Sequence, residues 1–273
     1  MNSSIETKYN LLKAYFNELE EVVIAYSGGV DSTLLLKVAF DELGDEVIAV
    51  LAKSETMPAA EFADAIKVAR KIGVEPNIIY TRELEIPEYF SNPENRCYHC
   101  KKHIFGVFND FMEKNMLIHL LDGSNADDSN DYRPGEKALS EFDVISPLKD
   151  FGFTKDEIRE LSKELGLVTW NKESMSCLAT RVAYNEPITI DKLQRIEAAE
   201  DYLRGLSFTK VRARMEEGIM RVEVNPSEVK RFDDDRLRQE VYKQIMEIGA
   251  KNVLIEKDGY RMGSMNKLNM NYN

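Results

Sequence analysis

Three cysteines are the only thiols in the 273-residue chain. Cys97 and Cys100 form a C-x-x-C in "NRCYHCKKHIF", and Cys177 lies far downstream in "ESMSCLATRV". An odd number of thiols makes no disulfide framework, and in a reducing cytosol such residues bind metal or do chemistry. Three readings compete. A redox pair with a separate third thiol wants a thioredoxin-like context, which this sequence does not supply. A structural zinc site would add His99 or His103 to make a Cys3His set. An iron–sulfur cluster would be held by the three thiolates. The other chemically loaded stretch is "AYSGGVDST", with Ser27, Gly28, Gly29, Asp31 and Ser32 directly after an apolar run. Small residues there let backbone approach a ligand, and a strand-to-helix turn aims N–H groups at an anion. The spacing is not that of a Walker A loop, and no lysine follows the glycines. The plainer alternative is a tight turn in which Asp31 and Ser32 cap a helix.

Such residues need elements to hold them. "VVIAYS" (Val22 to Ser27) reads as a buried strand and "DSTLLLKVAFDEL" as the helix after it. "EVIAVLA" (Glu46 to Ala52) is a second strand, "NIIY" (Asn77 to Tyr80) a third and "LIHLLDG" (Leu117 to Gly123) a fourth. Phe62, Ala65, Ile66, Ala69 and Ile72 recur at helical spacing and mark a crossover helix from about Ala59. "FTKDEIRELSKELGL" carries a capping box, Thr154 with Glu157, and closes at Gly166. Strands alternating with helices at these lengths predict an α/β fold, a parallel sheet covered on both faces. After Tyr184 the pattern changes to a helix (Ile190 to Leu206), strands in "TKVRARM" and "GIMRVEV", further helix from Pro226 and a last strand in "NVLIEK". The expected organisation is a domain over 1–184 carrying all three cysteines, and a small α+β domain over 185–273 for substrate binding or oligomerisation.

A formal net charge of −12 argues against a broad nucleic-acid footprint, because phosphate binding wants a basic surface. No apolar run reaches the roughly 20 residues that span a bilayer. "MNSSIETKYNLL" lacks the charged-then-apolar signal pattern, so a cytoplasmic protein without a membrane partner is expected.

S-G-G-x-D-S after a strand is the signature of the PP-loop ATP pyrophosphatases, and the chain resembles that superfamily. The resemblance implies an adenine nucleotide alpha hydrolase-like domain that holds ATP and transfers AMP to a substrate oxygen, releasing pyrophosphate. Ser27, Gly28, Gly29 and Ser32 would hold phosphate oxygens, and Asp31 would organise Mg2+. Relatives place G-[ST]-N-x-D-D in a second loop, here "DGSNADDSNDYRPG". In that loop Asp127 or Asp128 would assist the metal, and Arg133 would meet a phosphate or carboxylate; alone, the loop reads as a solvated acidic turn.

"ESMSCLATRVAYNEPIT" is similar to the S-x-x-C-L-A-[ST]-R segment of LarE-type enzymes, the ATP-dependent sulfur transferases of nickel-pincer nucleotide biosynthesis. "DYRPGEKA", "KVRARMEEGIMRVEV" and "GYRMGSMN" match the same family in the same order. The implied substrate is a small nucleotide, a pyridinium dicarboxylate mononucleotide, whose carboxylate is adenylated and then attacked by sulfur. The same resemblance puts Cys177 at the sulfur-bearing position and Arg181 at a substrate arginine. It makes Arg212 and Arg214 a phosphate clamp on one strand face, and Glu200 and Glu223 metal-binding positions. Relatives tend to have Pro and Gly where this chain has Ala183 and Asn185. Well-known members sacrifice one cysteine and lack the C-x-x-C. Cys97 and Cys100 beside Cys177 resemble instead a second branch, and certain tRNA thiolases, in which three cysteines hold a [4Fe–4S] cluster whose fourth iron stays open to hydrosulfide. The resemblance further implies a sulfide or other sulfur donor and a homo-oligomer. The alternatives are tRNA thiolation by the same chemistry, a sacrificial Cys177, and a zinc-stabilised nucleotide-binding protein.

Overall fold

The computed structural model describes residues 3–130, 135–173 and 176–261. They divide into two compact units, Met1–Glu83 with Asn95–Met175, and Leu84–Glu94 with Ser176–Asn273. The division falls earlier than the expected 184/185 boundary and assigns Cys177 and Arg181 to the second unit. Backbone pairing explains it. Val182 bridges Met215, the Ala183 N–H donates to the Met215 carbonyl at 3.1 Å, and the Asn92 amide donates to Ala183 O at 2.7 Å. Segment 176–184 is therefore part of the second unit's own hydrogen-bonded structure.

In the first unit, α1 (Ser3–Asn17) buries Ile5, Leu12 and Phe16, a helical stripe. There follow β1 (Val22–Ala25), α2 (Val30–Leu43), β2 (Val47–Lys53), α3 (Ala59–Ile72) and β3 (Asn77–Tyr80). The chain passes through the short α4 (Pro87–Phe90) of the second unit and returns as α5 (Arg96–Asn115), β4 (Leu120–Leu121), α6 (Glu136–Glu141), α7 (Pro147–Asp150) and α8 (Lys155–Glu164). The sheet order is β3-β2-β1-β4 with every pairing parallel. Alternation along β1 sends Val22 and Ile24 to a core with Leu12, Phe16, Leu35, Ile158 and Leu161. Val23 faces the opposite core with Phe105, Phe108 and Met112 of α5. Both faces are covered as the pattern requires, and cutting a fully buried side chain such as Leu35 to Ala costs about 2–5 kcal/mol. The edge strand β3 leaves Tyr80 70% exposed.

β4 is shorter than the apolar run Leu117 to Gly123 suggested, because the chain leaves the ladder after Leu121. Leu121 also bridges Ile145, whose N–H donates to Leu120 O at 2.9 Å. The consequence is functional: β1 lies between β2 on one side and β4 on the other, so the loops after β1 and β4 diverge there. Such a switch point opens a crevice at the carboxyl ends of the strands.

The second unit comprises α4, α9 (Ile190–Gly205), β5 (Arg212–Glu216), β6 (Ile219–Glu223), α10 (Asp235–Ile248) and β7 (Asn252–Ile255). Its sheet runs β5-β6-β7, antiparallel then parallel. Glu217 and Gly218, at φ 52° and 85°, make the two-residue hairpin turn between β5 and β6. Asn185 stands at φ 65°, a left-handed position that asparagine tolerates, so the turn is kept without a glycine.

Candidate active site

The loop after β1 closes on itself through hydroxyls. The Ser27 N–H donates to Ser32 Oγ at 3.2 Å, and the two serine hydroxyls lie 3.1 Å apart. Gly28 has φ 72°, and a Cβ there would stand 2.5 Å from the Ala65 Cβ, so only glycine lets the loop pass over α3. Gly29 is the N-cap of α2 and no side chain caps that helix. Its first-turn N–H groups are left to face the loop, which is the geometry that binds anions. The capping alternative for Asp31 and Ser32 is thereby removed.

The second loop packs directly on this one. A Cβ at Gly123 would lie 2.7 Å from the Ser32 nitrogen, so the approach of the two loops depends on its absence. Between them opens a cleft of about 280 Å3, lined by Ser27, Asp31, Ser32, Asp122, Ser124, Asn125 and Asp128, with Lys101 of α5 and Lys155 of α8. Asp122 is buried and accepts from the Ser124 and Ser146 hydroxyls, each at 2.6 Å. Asp128 accepts the Asn125 N–H at 3.1 Å. Asp127 turns away from the cleft: its Oδ2 accepts the Lys155 N–H at 2.8 Å and so holds the first turn of α8. The structure thus separates two neighbouring aspartates that the sequence left equivalent. Arg133 lies outside the described residues.

Sequence reasoning assigned neither Lys155 nor Lys172 here. Lys155 ion-pairs Asp31 Oδ2 at 2.5 Å, Lys101 lines the cleft, and Lys172 donates to Gly28 O at 3.2 Å while pairing Glu61 at 2.6 Å. The Lys155–Asp31 contact joins residues 124 positions apart, so no local pattern signals it. Its only sequence mark is a place at the start of a capped helix.

Cys97 and Cys100 sit in the first turns of α5, three residues apart and so on one face of the helix. The N-cap Asn95 makes no side-chain cap and the first turn carries no acidic residue, which leaves the positive helix end toward anionic ligands. His99 and His103 are engaged elsewhere, His99 with the Asn95 amide at 3.1 Å and His103 donating from Nε2 to the Thr81 carbonyl. In the second unit, Cys177 is the N-cap of the turn Leu178–Arg181. No disulfide involves any of the three thiols. Among the described residues no group of three or more His, Cys, Asp or Glu side chains is gathered closely enough to hold a metal ion.

Arg181 is fully buried. Its Nε donates to Glu200 Oε1 at 2.9 Å, and its Nη1 donates to the Ser176 and Cys177 carbonyls at 2.6 and 3.0 Å. Glu200 also accepts from Arg204 at 2.6 Å and from the Ala213 N–H. Arg214 pairs Glu223 at 2.7 Å. Both glutamates expected at metal positions therefore neutralise arginines. Arg212 differs: it donates to the Val211 carbonyl and lies over the Tyr260 ring, and among the described residues no carboxylate ion-pairs it. Burial and then the charge of Arg181, with Arg214 a smaller cause, lower its pKa from the ordinary arginine value, against the raising influence of Glu200 and Tyr260.

A parallel sheet with a small-residue anion loop at its switch point, facing an acidic second loop, defines a PP-loop ATP pyrophosphatase. The NAD synthase family model matches residues 4–116. Across 97% of its length the chain is 39% identical to an uncharacterised protein of Synechocystis, covering 98% of that protein. It is 36% identical, again over 97%, to a pyridinium-3,5-bisthiocarboxylic acid mononucleotide synthase of Lactiplantibacillus plantarum, covering 95% of it. A more distant relative, a tRNA-specific 2-thiouridylase of Clostridioides difficile, is 27% identical over 56% of this chain and 53% of its own. The chain belongs to the LarE-type family of PP-loop ATP pyrophosphatases, a family of ATP-dependent sulfurtransferases. Among the described residues no helix is long and apolar enough to cross a membrane.

Proposed function

We propose that this chain activates a carboxylate of a pyridinium dicarboxylate mononucleotide with ATP and converts it to a thiocarboxylate. The supporting observation is the two-loop cleft, in a chain collinear with a relative whose name states that product class. In the first step a substrate carboxylate oxygen attacks the α-phosphorus of ATP and pyrophosphate leaves. In the second, hydrosulfide attacks the acyl carbon, the C–O bond to AMP breaks and a proton is released to solvent. A phosphate ester is a good leaving group, which makes attack on an otherwise resonance-stabilised carboxylate feasible.

Charge decides how the cleft takes ATP. Lys101 and Lys155 face Asp31, Asp122 and Asp128, so the cleft itself is not positive. A triphosphate would therefore enter with Mg2+, which Asp31 and Asp128 would hold. The loop N–H groups and the hydroxyls of Ser27 and Ser32 receive the pyrophosphate oxygens and stabilise charge as it moves onto them. In the second unit, Arg212 is a buried cation repelled by two arginines, and a phosphate dianion from the mononucleotide is the partner that relieves it. Arg214, fixed by Glu223, supplies the second donor. Arg181 holds the backbone at Cys177 in place through its bonds to the 176 and 177 carbonyls.

The donor set suits a [4Fe–4S] cluster: two thiols on one helix face at a positive helix end, a third at a turn, and no disulfide among them. Cys97, Cys100 and Cys177 would hold it, and when bound it supplies an iron site open to hydrosulfide, hence renewable sulfur. Anaerobic purification with iron, sulfide and zinc analysis tests this assignment. The expected result is iron and sulfide in the protein and their loss in Cys97→Ser, Cys100→Ser and Cys177→Ser alike. An active, iron-free protein holding stoichiometric zinc would contradict it, and so would dehydroalanine at Cys177 after turnover.

A further inference from the structure

The Lys155–Asp31 ion pair raises a question that the proposed function leaves open. Asp31 is the carboxylate assigned to the metal, yet in the structure an ammonium sits on it at 2.5 Å. The other two cleft aspartates are held differently, Asp122 by hydroxyls and Asp128 by the Asn125 N–H. A metal ion approaching Asp31 must compete with Lys155 for Oδ2, since Oδ1 already accepts from the Asn125 amide at 3.4 Å.

The lysine is placed to leave. Its backbone N–H is fixed by Asp127 at 2.8 Å, so α8 need not move. Its side chain and that of Asp31 are 32% and 21% exposed, and both line the cleft. The flexible four-carbon stem can swing the ammonium across that space. We infer that Lys155 is the resident counter-ion of Asp31, and that it exchanges partners when metal-bound nucleotide enters: the divalent cation takes Asp31 and Lys155 passes to the phosphate chain. The inference rests on the proposed assignment of Asp31 and adds a consequence. A bare divalent ion is opposed by the lysine, and a bare triphosphate is opposed by the aspartates. Together they leave no charge stranded, so metal and nucleotide bind synergistically.

The probes are Mn2+, followed by paramagnetic resonance, and a non-hydrolysable ATP analogue, followed by calorimetry, on the full chain. Lys155→Met should make Mn2+ bind the nucleotide-free protein at least about tenfold more tightly, the equivalent of about 1.4 kcal/mol of removed competition. Adding Asp31→Asn to that variant should abolish the gain. With Mn2+ present, the analogue should bind Lys155→Met at least about tenfold more weakly than wild type. Lys155→Gln serves as a second neutral variant if the first folds poorly by circular dichroism. Unchanged or weaker Mn2+ binding in the neutral variants would overturn the exchange, as would unchanged analogue affinity. The proposed function fails separately: a wild-type protein that shows these binding shifts but releases no pyrophosphate with a pyridinium dicarboxylate would refute the reaction and leave the exchange standing.

Discussion

The two units each contain a cluster of cations and carboxylates, and the clusters have opposite designs. In the first unit, Asp31 and Lys155 are partly exposed and face an open cleft, with a single ion pair between them. In the second, Arg181 and Glu200 are both 0% exposed and tied to each other and to the backbone. Pairs of the same charge types thus do different jobs. An exposed pair costs little to break and can exchange partners with a ligand. A buried pair cannot lose one member without stranding the other charge. Arg212 is the exception within the second cluster, a buried cation that no carboxylate ion-pairs among the described residues.

The contrast can be broken at either end. Arg181→Met takes away the buried partner of Glu200, leaving it only the partly exposed Arg204, and should destabilise the protein by about 3–5 kcal/mol, read as a shifted denaturation midpoint. A loss below about 1 kcal/mol would mean that the pair is not buried as described. Asp31→Asn should do the reverse, lowering pyrophosphate release by about 10²–10³-fold, a loss typical of one electrostatic contact at a reacting centre. Its unfolding free energy should stay within about 0.5 kcal/mol of wild type. Gly28→Ala tests the loop itself. With φ at 72° and a Cβ 2.5 Å from Ala65, it should cost about 1–3 kcal/mol and weaken nucleotide binding. Gly29→Ala, whose Cβ would meet only Ser27 Oγ at 3.4 Å, should be the milder change.

The smallest effect concerns pH. Burial raises the pKa of Glu157, but its ion pair with Lys8 and its bonds to Thr154 lower it more, so the folded value lies below the ordinary one. A depressed carboxylate contributes stability above its unfolded pKa and loses it as pH falls through the folded value. Unfolding measured down the acid limb should therefore show wild type losing its margin over Glu157→Gln. An unchanged margin at low pH would remove that ion pair from the account.

Much of this was legible in the sequence. Glycines, small residues and aspartates at fixed spacing announced the loop after β1, and the Thr154–Glu157 box announced α8. Local periodicity gave β3 and α9 nearly to the residue. What stayed hidden is non-local. Lys155 meets Asp31 across 124 positions, and Asp127 and Asp128 part company only because α8 starts beside one of them. The compact units divide at 175/176 and not at 184/185, and segment 176–184 carries no composition change that would signal it. Its allegiance comes from backbone bonds to Met215 and Asn92. Arg212 and Arg214 looked alike in sequence, and their partners are what separate them, Glu223 for Arg214 and no ion-paired carboxylate among the described residues for Arg212.

The central claim is that the cleft activates a carboxylate for replacement of oxygen by sulfur, over and over. It is tested most directly by anaerobic incubation of the purified protein with ATP, Mg2+, sulfide and a pyridinium dicarboxylate mononucleotide, with product counted by mass spectrometry. The account predicts thiocarboxylate, AMP and pyrophosphate in equal amounts and in clear excess over protein, with Cys177 intact. Product capped at one equivalent per chain, with Cys177 converted to dehydroalanine, or no thiocarboxylate at all, would contradict it.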